Sequence, residues 1–298
     1  MYKLIDIIIP TYNRLDLLKK TLRSVSELKG FNMCDTHVFL NGCTDSTEKV
    51  LVESYKWVNI ISSKKNLSMS SSWNNAKKLG KNKYYMLLHD DDMLSEDFLI
   101  QLDSFVLKNN NCVLIHSCSS IIDENEKEID IFNFDYKPIT RGDDYFKSHI
   151  ISSLRFICPS VVYNRTLIPK YLDYNEKLAY TLDVEFFLRC TRFGDIGYIN
   201  KPIFKYRLHD RSTSSNFMKN YHLKLLDRDE HRIFLKNEIK SRLDKKYIHL
   251  ADNYYYGALS VDLWLFRLEQ KKIRLRESFR LIKLILKKDF RILFRKIF

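Results

Sequence analysis

The feature that most restricts the fold of this chain is an alternation of strand-like and helix-like segments over about its first 110 residues. Short apolar runs such as Leu4–Pro10 and Tyr84–Leu88 are typical of strands buried on both faces of a sheet. Between such runs, apolar side chains recur at three- and four-residue steps, which predicts amphipathic helices. Strands that alternate with helices predict an α/β fold with a mostly parallel sheet and helices on both of its faces.

Beyond about residue 112 the pattern changes to shorter strands and irregular loops. The elements predicted there are two short strands, a helix and an extended segment: Val113–Ser117, Ser160–Tyr163, Leu182–Phe193 and Tyr198–Arg207. From about residue 216 the pattern is helical. We therefore predict an α/β domain over residues 1–215, followed by a C-terminal helical region over residues 216–298.

The six cysteines of the 298-residue chain form no CxxC pair and show no Cys/His spacing typical of a zinc site. We find neither a signal peptide nor an apolar run long enough to span a bilayer. Reduced thiols in core positions and a cytoplasmic location are therefore expected.

The net charge of +13 is concentrated near the C-terminus. Residues 271–298 contain eleven Lys and Arg residues against two acidic residues, and the basic side chains alternate with Ile, Leu and Phe. We favour binding of this basic amphipathic segment to the inner face of an anionic cytoplasmic membrane. The alternatives are docking of its apolar side on the preceding domain and nucleic-acid binding. The basic charge lacks a recognised nucleic-acid-binding fold, so no nucleic-acid partner is expected.

Polar clusters follow three of the predicted strands at the point where each strand ends. These clusters are Thr11–Arg14, Asn41–Asp45 and His89–Asp92. In open α/β sheets, ligands bind beyond the carboxyl ends of the strands. The topology and the polar clusters therefore predict a single cleft.

The acidic sequence Asp90-Asp91-Asp92 is the strongest single feature of that cleft. Adjacent carboxylates repel one another, and a hard divalent cation with oxygen ligands removes this penalty. The alternative is a solvated acidic loop, but a strand buried up to its last residue places these acids in the cleft. Ser95 is predicted to cap the helix that follows.

Six blocks of the chain resemble, in order and spacing over about residues 4–215, the family 2 glycosyltransferases of the GT-A fold. The blocks are Pro10–Arg14, Asn41–Thr47, Asn66–Asn74, Leu88–Asp92, Asp183–Arg189 and Tyr206–His209. They resemble, respectively, the family's opening strand end, its NDGSTD segment, its NxGxxxARN stretch, its DXD segment, the segment of its catalytic base and its YRxH element.

The resemblance implies a nucleotide-sugar donor, for which we favour a UDP-sugar. The residues it assigns to nucleotide binding are Pro10, Thr11, Tyr12, Arg14, Asn41, Asp45, Asn74 and Asp90. Three positions depart from the family pattern. Asn41 replaces an acid, and its amide offers both an acceptor and donors to a base. Ser68 replaces a glycine, and Trp73 replaces an arginine and is expected to pack in the core.

The resemblance also implies a divalent cation, Mn²⁺ or Mg²⁺, with Asp91 as its principal ligand and with His209 and Asp92 as further ligands. Its catalytic base matches Asp183. Glu185, two positions later, points about 200° away on a regular helix, so only one of the two carboxylates can face the cleft. Glu185 also stands four residues before Arg189, the favoured order for an ion pair, which predicts a supporting role.

The function implied is inverting transfer of a sugar to the hydroxyl of a glycan or lipid-linked glycan, in the assembly of lipopolysaccharide, capsule or another surface glycan. Two alternatives stay open. A sugar nucleotidyltransferase would carry a glycine-rich phosphate loop near the first strand, and Pro10–Arg14 contains no glycine. A non-catalytic nucleotide-sugar-binding protein would keep the Asp91 cluster but would not need Asp183.

Overall fold

A computed structural model describes three stretches of the chain: residues 2–152, 156–209 and 221–252. The chain divides into two compact units. The first consists of Met1–Glu176 and Leu182–Ser212, and the second of Lys177–Thr181 and Thr213–Phe298. The boundary predicted between residues 215 and 216 falls outside the described residues and stays a prediction.

The first unit contains the strands, which are β1 Ile5–Thr11, β2 Cys34–Leu40, β3 Val58–Ser62, β4 Tyr84–Leu87, β5 Met93–Leu94, β6 Cys112–Ile122, β7 Glu128–Phe132, β8 Ile139–Thr140, β9 Val162–Asn164 and β10 Asp195–Arg207. The α-helices are α1 Leu15–Ser26, α2 Thr47–Ser54, α3 Met69–Ala76, α4 Phe98–Lys108, α5 Gly142–Ser152, α6 Leu182–Cys190 and α7 Tyr221–Arg242. Short 3₁₀ turns lie at Phe31–Met33, Cys158–Ser160 and Lys245–Tyr247.

The strands form one sheet in the order β3-β2-β1-β4-β9-β6-β10-β5, with β7 beside β6 and β8 beside β10. The pairs β3–β2, β2–β1 and β1–β4 are parallel. Strand β9 runs antiparallel to both β4 and β6, whereas β6 and β10 are parallel. The predicted α/β class with a mostly parallel sheet is confirmed, and short antiparallel strands interrupt and extend the parallel set.

The second half of the sheet differs from the prediction of short strands. Strands β6 and β10 have 11 and 13 residues and are the longest of the described strands. All residues of β6 are buried, including His116 and Ser119. Polar residues interrupt the apolar run that marks a buried strand in sequence. The length of β6 therefore comes from its neighbours β9, β10 and β7.

The expected helix cap at Ser95 is wrong. Helix α4 begins at Phe98, and Asp97 holds the capping position without a side-chain cap. The hydroxyl of Ser95 donates instead to the carbonyl of Pro202 at 2.9 Å. The reason is tertiary, because β5 pairs with β10 and brings Ser95 beside Pro202.

The main core lies under the parallel half of the sheet. Ile5, Ile7 and Ile9 of β1 are fully buried in one cluster with Leu18 and Leu22 of α1. Each such side chain contributes about 1.5–3 kcal/mol through removal from water. The helical stripe predicted from three- and four-residue spacing is therefore the face of α1 that packs on the sheet.

A buried acid stands inside this apolar strand near its amino end. Asp6 is 0% exposed, and its carboxylate accepts hydrogen bonds from the backbone and side chain of Asn82 and from Arg165, while His37 Nε2 lies 3.1 Å away. Gly80 has a left-handed φ of +76°, and a Cβ added there would lie 2.1 Å from the carboxylate carbon of Asp6. Only glycine therefore fits where the chain passes this carboxylate.

Within the described residues, no helix combines the length and the apolar character needed to cross a bilayer. The basic segment 271–298, for which we predict binding to a membrane surface, lies outside the described residues.

Candidate active site

The carboxyl ends of β1, β2 and β4 bring the polar clusters together. The hydroxyl of Thr11, the last residue of β1, donates to Asp90 Oδ2 at 2.6 Å. The backbone N–H of Asn41 donates to the Thr11 carbonyl at 2.9 Å. Asn13 and Thr44 exchange two further hydrogen bonds across the same gap. The three polar clusters predicted at the strand ends therefore lie together.

Arg14 holds two of the three adjacent carboxylates. One of its guanidinium nitrogens lies 3.2 Å from Asp90 Oδ1 and 3.1 Å from Asp91 Oδ2. Burial lowers the pKa of Arg14, but the charges of Asp90 and Asp91 outweigh burial, so the net pKa is raised. Arg14 lies just before α1, and the start of that helix therefore fixes the position of the acidic cluster.

His209 approaches Asp91 from the other side. Its Nε2 lies 3.1 Å from Asp91 Oδ2, and its side chain is only 2% exposed. A carboxylate only accepts hydrogen bonds, so this contact assigns a proton to Nε2. Burial raises the pKa of Asp91, but the His209 hydrogen bond and the nearby positive groups outweigh it, and the net pKa is lowered. Among the three carboxylates of the cluster, Asp91 is therefore the one whose pKa is lowered.

The other two carboxylates share the remaining charge. Burial, followed by repulsion from Asp91, raises the pKa of Asp90 to about 6. The same two causes raise the pKa of Asp92 well above its ordinary value. Asp92 Oδ1 accepts the backbone N–H of Arg207 at 2.9 Å. Asp92 Oδ2 is buried and has no hydrogen-bond partner among the described residues.

His89 completes a group with the geometry of a metal site. Ligand atoms of His89, Asp91 and Asp92 all lie within 4.8 Å of one another. Burial lowers the pKa of His89, so its ring is the neutral form that binds metals. Oxygen ligands suit Mn²⁺ and Mg²⁺, and an added imidazole suits transition metals. The partnerless oxygen of Asp92 and this donor set fit a divalent cation.

The residues assigned to the nucleotide divide into two groups. Pro10 is partly buried and Tyr12 exposed beside Thr11 at the carboxyl end of β1. Asn41 donates to Asn66 Oδ1 at 2.9 Å and to the Leu67 carbonyl at 3.1 Å, and it accepts the Leu67 N–H. Its amide therefore holds the loop that precedes α3.

The side chains of Asp45 and Asn74 form hydrogen bonds with backbone groups of the protein. Asp45 Oδ1 accepts the backbone N–H of Thr47 at the start of α2. The side chain of Asn74 bonds both the carbonyl and the N–H of Tyr174, at 3.0 and 2.6 Å. Trp73 is buried against Tyr174 and His89, as expected for core packing. The structure therefore brings Asn74 to the Tyr174 backbone and not to the acidic cluster.

The two carboxylates of α6 have different surroundings. Asp183 lies in the first turn, is partly buried, and accepts the backbone N–H of Val184 at 2.8 Å. Glu185 is buried and forms an ion pair with Arg189 at 2.7 Å. The predicted pairing of Glu185 with Arg189 is observed, although it is buried instead of lying on the surface.

Sequence reasoning missed Cys158 as a member of this region. The Cys158 thiol interacts with the Asp183 carboxylate. Burial, followed by the charges of Asp183 and Asp92, raises the pKa of this thiol well above its ordinary value. A single cysteine outside any motif gave no signal in the sequence. In the sequence, His89 stands where the first acid of the DXD segment often lies, and its role as a candidate ligand emerges from the structure.

With this geometry established, the chain can be compared with known proteins. The family model described as glycosyl transferase family 2 matches residues 6–167. The chain belongs to this family. Family 2 membership accounts for the order of the sequence blocks and for the placement of the acids after β4.

The curated relatives include a protein named as a glycosyltransferase and one named as chondroitin synthase. An uncharacterized glycosyltransferase of Haemophilus influenzae is 26% identical over 226 residues, which cover 71% of this chain and 68% of that protein. Chondroitin synthase of Escherichia coli is 26% identical over 243 residues, which cover 78% of this chain but only 33% of that protein.

Solved structures share the GT-A fold. TarS 1–349 of S. aureus in complex with UDP-GlcNAc has a TM-score of 0.67 at 15% identity, covering 92% of this chain and 77% of that chain. The mannosyltransferase PcManGT of Pyrobaculum calidifontis, in complex with GDP-Man and Mn²⁺, has a TM-score of 0.58 at 12% identity, covering 95% and 79%. At these identities the likeness concerns the fold alone.

Proposed function

We propose that this family 2 protein is a metal-dependent, inverting glycosyltransferase that moves a sugar from a UDP-sugar to an acceptor hydroxyl. The observation that carries the proposal is the group formed by His89, Asp91 and Asp92, whose ligand atoms lie within 4.8 Å of one another at the carboxyl end of the sheet. A second carboxylate, Asp183 in the first turn of α6, is the proposed base for proton transfer.

Asp91 and Asp92, with His89 and His209, would hold a Mn²⁺ or Mg²⁺ ion. When bound, such an ion neutralises the charge that develops on the departing diphosphate. Asp90 has both carboxylate oxygens engaged, one by Thr11 and one by Arg14. It therefore orients the group, and the lone oxygen of Asp92 stays open to a ligand.

The contacts of Asn41 support a donor base with an imide N–H. Both side-chain N–H donors of Asn41 are used by Asn66 and Leu67, and its oxygen accepts one N–H. One acceptor position on that oxygen is left for a base. The ring nitrogen at the pairing edge is an N–H donor in uracil and guanine but an acceptor in adenine and cytosine, whose only donor at that edge is the exocyclic amino group. UDP is favoured because the TarS structure with the TM-score of 0.67 holds UDP-GlcNAc.

The reaction is a single displacement. The acceptor oxygen forms a bond to the anomeric carbon while the bond to the diphosphate oxygen breaks, and the electron pair leaves with the diphosphate. Asp183 takes the proton of the attacking hydroxyl. Its position in the first turn of α6 and the Val184 N–H favour the ionised carboxylate that this step requires. One displacement inverts the configuration.

For the acceptor, we propose a glycan or lipid-linked glycan of a surface polysaccharide. The similarity to a relative named chondroitin synthase supports a polysaccharide product. The basic segment 271–298 supports peripheral binding at the cytoplasmic membrane, where a lipid-linked acceptor would be found.

Substitution of the proposed base tests this function. Asp183→Asn should lower kcat of sugar transfer by about 10²–10⁴-fold and leave UDP binding unchanged, because only proton transfer is lost. Glu176→Gln, at an exposed carboxylate shortly before α6, is the control and should keep the wild-type rate. The product anomer is read by NMR. Wild-type transfer by Asp183→Asn, or a product with retained configuration, would reject the mechanism. Donor binding without turnover by the wild type would favour a nucleotide-sugar-binding protein.

A further inference from the structure

A buried aspartate of α7 binds the chain segment that leads into the helix of the proposed base. Asp227 is 2% exposed. Its Oδ1 accepts the backbone N–H groups of Ala179 and Tyr180 at 2.7 and 2.8 Å. Its Oδ2 accepts the backbone N–H and the hydroxyl of Thr181 at 3.1 and 2.8 Å. One carboxylate thus takes four hydrogen bonds from three consecutive residues.

These donors lie directly before α6, which begins at Leu182 and carries Asp183 as its second residue. Backbone N–H groups at a helix start have no partner within the helix, and consecutive N–H groups that converge form an anion-binding concavity. The carboxylate of Asp227, which lies on α7, is the anion that these N–H groups bind. Its four bonds fix the backbone dihedrals of the segment and therefore the residue at which α6 begins.

Lys177–Thr181 belongs to the second compact unit together with α7, whereas Leu182 returns the chain to the first unit. Within this segment Leu178 is buried and Ala179 and Tyr180 are exposed. Lys177 lies 3.8 Å from the carboxylate of Glu230 on α7. A small shift in this short connection would be passed to Asp183 through the covalent chain.

We propose that Asp227 is a positioning residue for Asp183, which it affects through the three residues that directly precede α6. This inference rests on the proposed function, because it requires Asp183 to act in the reaction. A misplacement of about 1 Å can cost about 10²-fold in rate without loss of binding, which sets the size of the effect expected here.

The test compares Asp227→Asn with Asp229→Asn. Asp229 lies on the same helix, but its side chain is 47% exposed and pairs with Arg232. Asp227→Asn replaces one acceptor oxygen by a donor group that faces N–H groups. It should lower kcat of sugar transfer by about 10–100-fold and change the Kd of UDP with Mn²⁺ less than about twofold. Asp229→Asn should match the wild type. An Asp227→Asn enzyme with wild-type kcat would overturn the proposal.

A double variant separates positioning from a general loss of structure. If Asp227 acts through Asp183, adding Asp227→Asn to Asp183→Asn should leave the residual rate unchanged. An equal loss in both backgrounds would overturn the proposal, while wild-type activity of Asp183→Asn alone would instead reject the proposed function. Should Asp227→Asn not fold, Thr181→Ala removes one of the four bonds. It should lower kcat several-fold, Thr181→Ser should restore it, and an unchanged kcat in Thr181→Ala would overturn the proposal.

Discussion

The sheet carries buried carboxylates at both of its ends, and the two ends neutralise them differently. At the amino end of β1, the charge of Asp6 is matched by Arg165 and by hydrogen bonds from Asn82, with His37 beside it. At the carboxyl end, Arg14 pairs with two of the three adjacent carboxylates, those of Asp90 and Asp91. One buried oxygen of Asp92 has no hydrogen-bond partner among the described residues.

The difference distinguishes a structural acid from one kept for a ligand. Where a buried charge has a full set of partners, removing any one of them is strongly destabilising, so the charge is part of the fold. A buried group of like charges with an open oxygen costs stability until a cation binds. Arg207, although close, directs its guanidinium to the carbonyls of Asp91 and Asp123 and to the Glu126 carboxylate, and forms no ion pair with Asp90, Asp91 or Asp92 among the described contacts. The protein therefore leaves the negative charge in place.

Removing Asp91, the central acid at the carboxyl end of the sheet, should have the largest effect on activity. Asp91→Asn should lower the rate of sugar transfer by about 10³-fold, because the group that holds the cation loses the carboxylate whose pKa is lowered. The melting temperature should stay the same or rise, because repulsion within the cluster falls. Asp97→Asn, at a half-exposed acid paired with Lys29, is the control. A large loss of melting temperature in Asp91→Asn would mean that the two ends do not differ as described.

Removing the acid of the opposite end should have the reverse outcome. Asp6→Asn should lower the free energy of unfolding by about 3 kcal/mol, because Arg165 and His37 lose their buried partner. Urea unfolding measures this, and the Kd of UDP should be unchanged. Asp35→Asn, at a half-exposed acid that shares Asn82, should cost less than about 1 kcal/mol. An equal loss in the free energy of unfolding for both variants would show that the burial of Asp6 does not increase its contribution to stability.

Stabilisation by a bound metal ion should depend on the acids at the carboxyl end of the sheet and not on Asp6 at its amino end. At 100 times its Kd, Mn²⁺ should stabilise the protein by about 2.7 kcal/mol, and EDTA should reverse the gain. Asp6→Asn should keep this increment while starting from a lower melting temperature, and Asp91→Asn should lose it. Thermal unfolding with and without Mn²⁺ measures all three proteins. A gain that persists in Asp91→Asn would place the cation elsewhere.

A third kind of buried titratable group, the histidine His116, should affect the stability of the protein only at acid pH. His116 lies among Tyr136, Tyr145 and Tyr198, and burial lowers its pKa to about 3. The unfolded chain binds a proton near pH 6.5 that the folded protein takes up only near pH 3. The stability that this residue contributes is therefore complete above pH 6.5 and falls by about 1.4 kcal/mol per pH unit as the pH drops below it.

His116→Phe should flatten the decline of the melting temperature between pH 6.5 and 4. Phenylalanine keeps the aromatic contacts, and the buried Nε2 of His116 has no hydrogen-bond partner to lose. His249→Gln, at an exposed histidine, should leave the slope as in the wild type. The same slope in His116→Phe and the wild type would assign the acid sensitivity to other groups.

The sequence by itself determined the α/β class, the parallel first half of the sheet and the grouping of polar side chains at its carboxyl end. These follow from local signals, because a buried strand such as Leu4–Pro10 and the helical stripe on α1 bury their apolar residues whatever the rest of the chain does. The run Asp90-Asp91-Asp92 pointed to a cation for the same reason, since neighbours in sequence repel wherever they are placed. The resemblance to the family added the candidate base Asp183.

Only the tertiary structure decided which partners each polar group has. It committed the amide of Asn74 to the backbone of Tyr174, moved Ser95 from a helix cap to the Pro202 carbonyl, and extended β6 across polar residues. It also brought Asp227 to a segment 46 to 48 positions away in the chain. The physical reason is that a hydrogen bond depends on position within about an ångström, which no local pattern specifies for residues far apart in sequence.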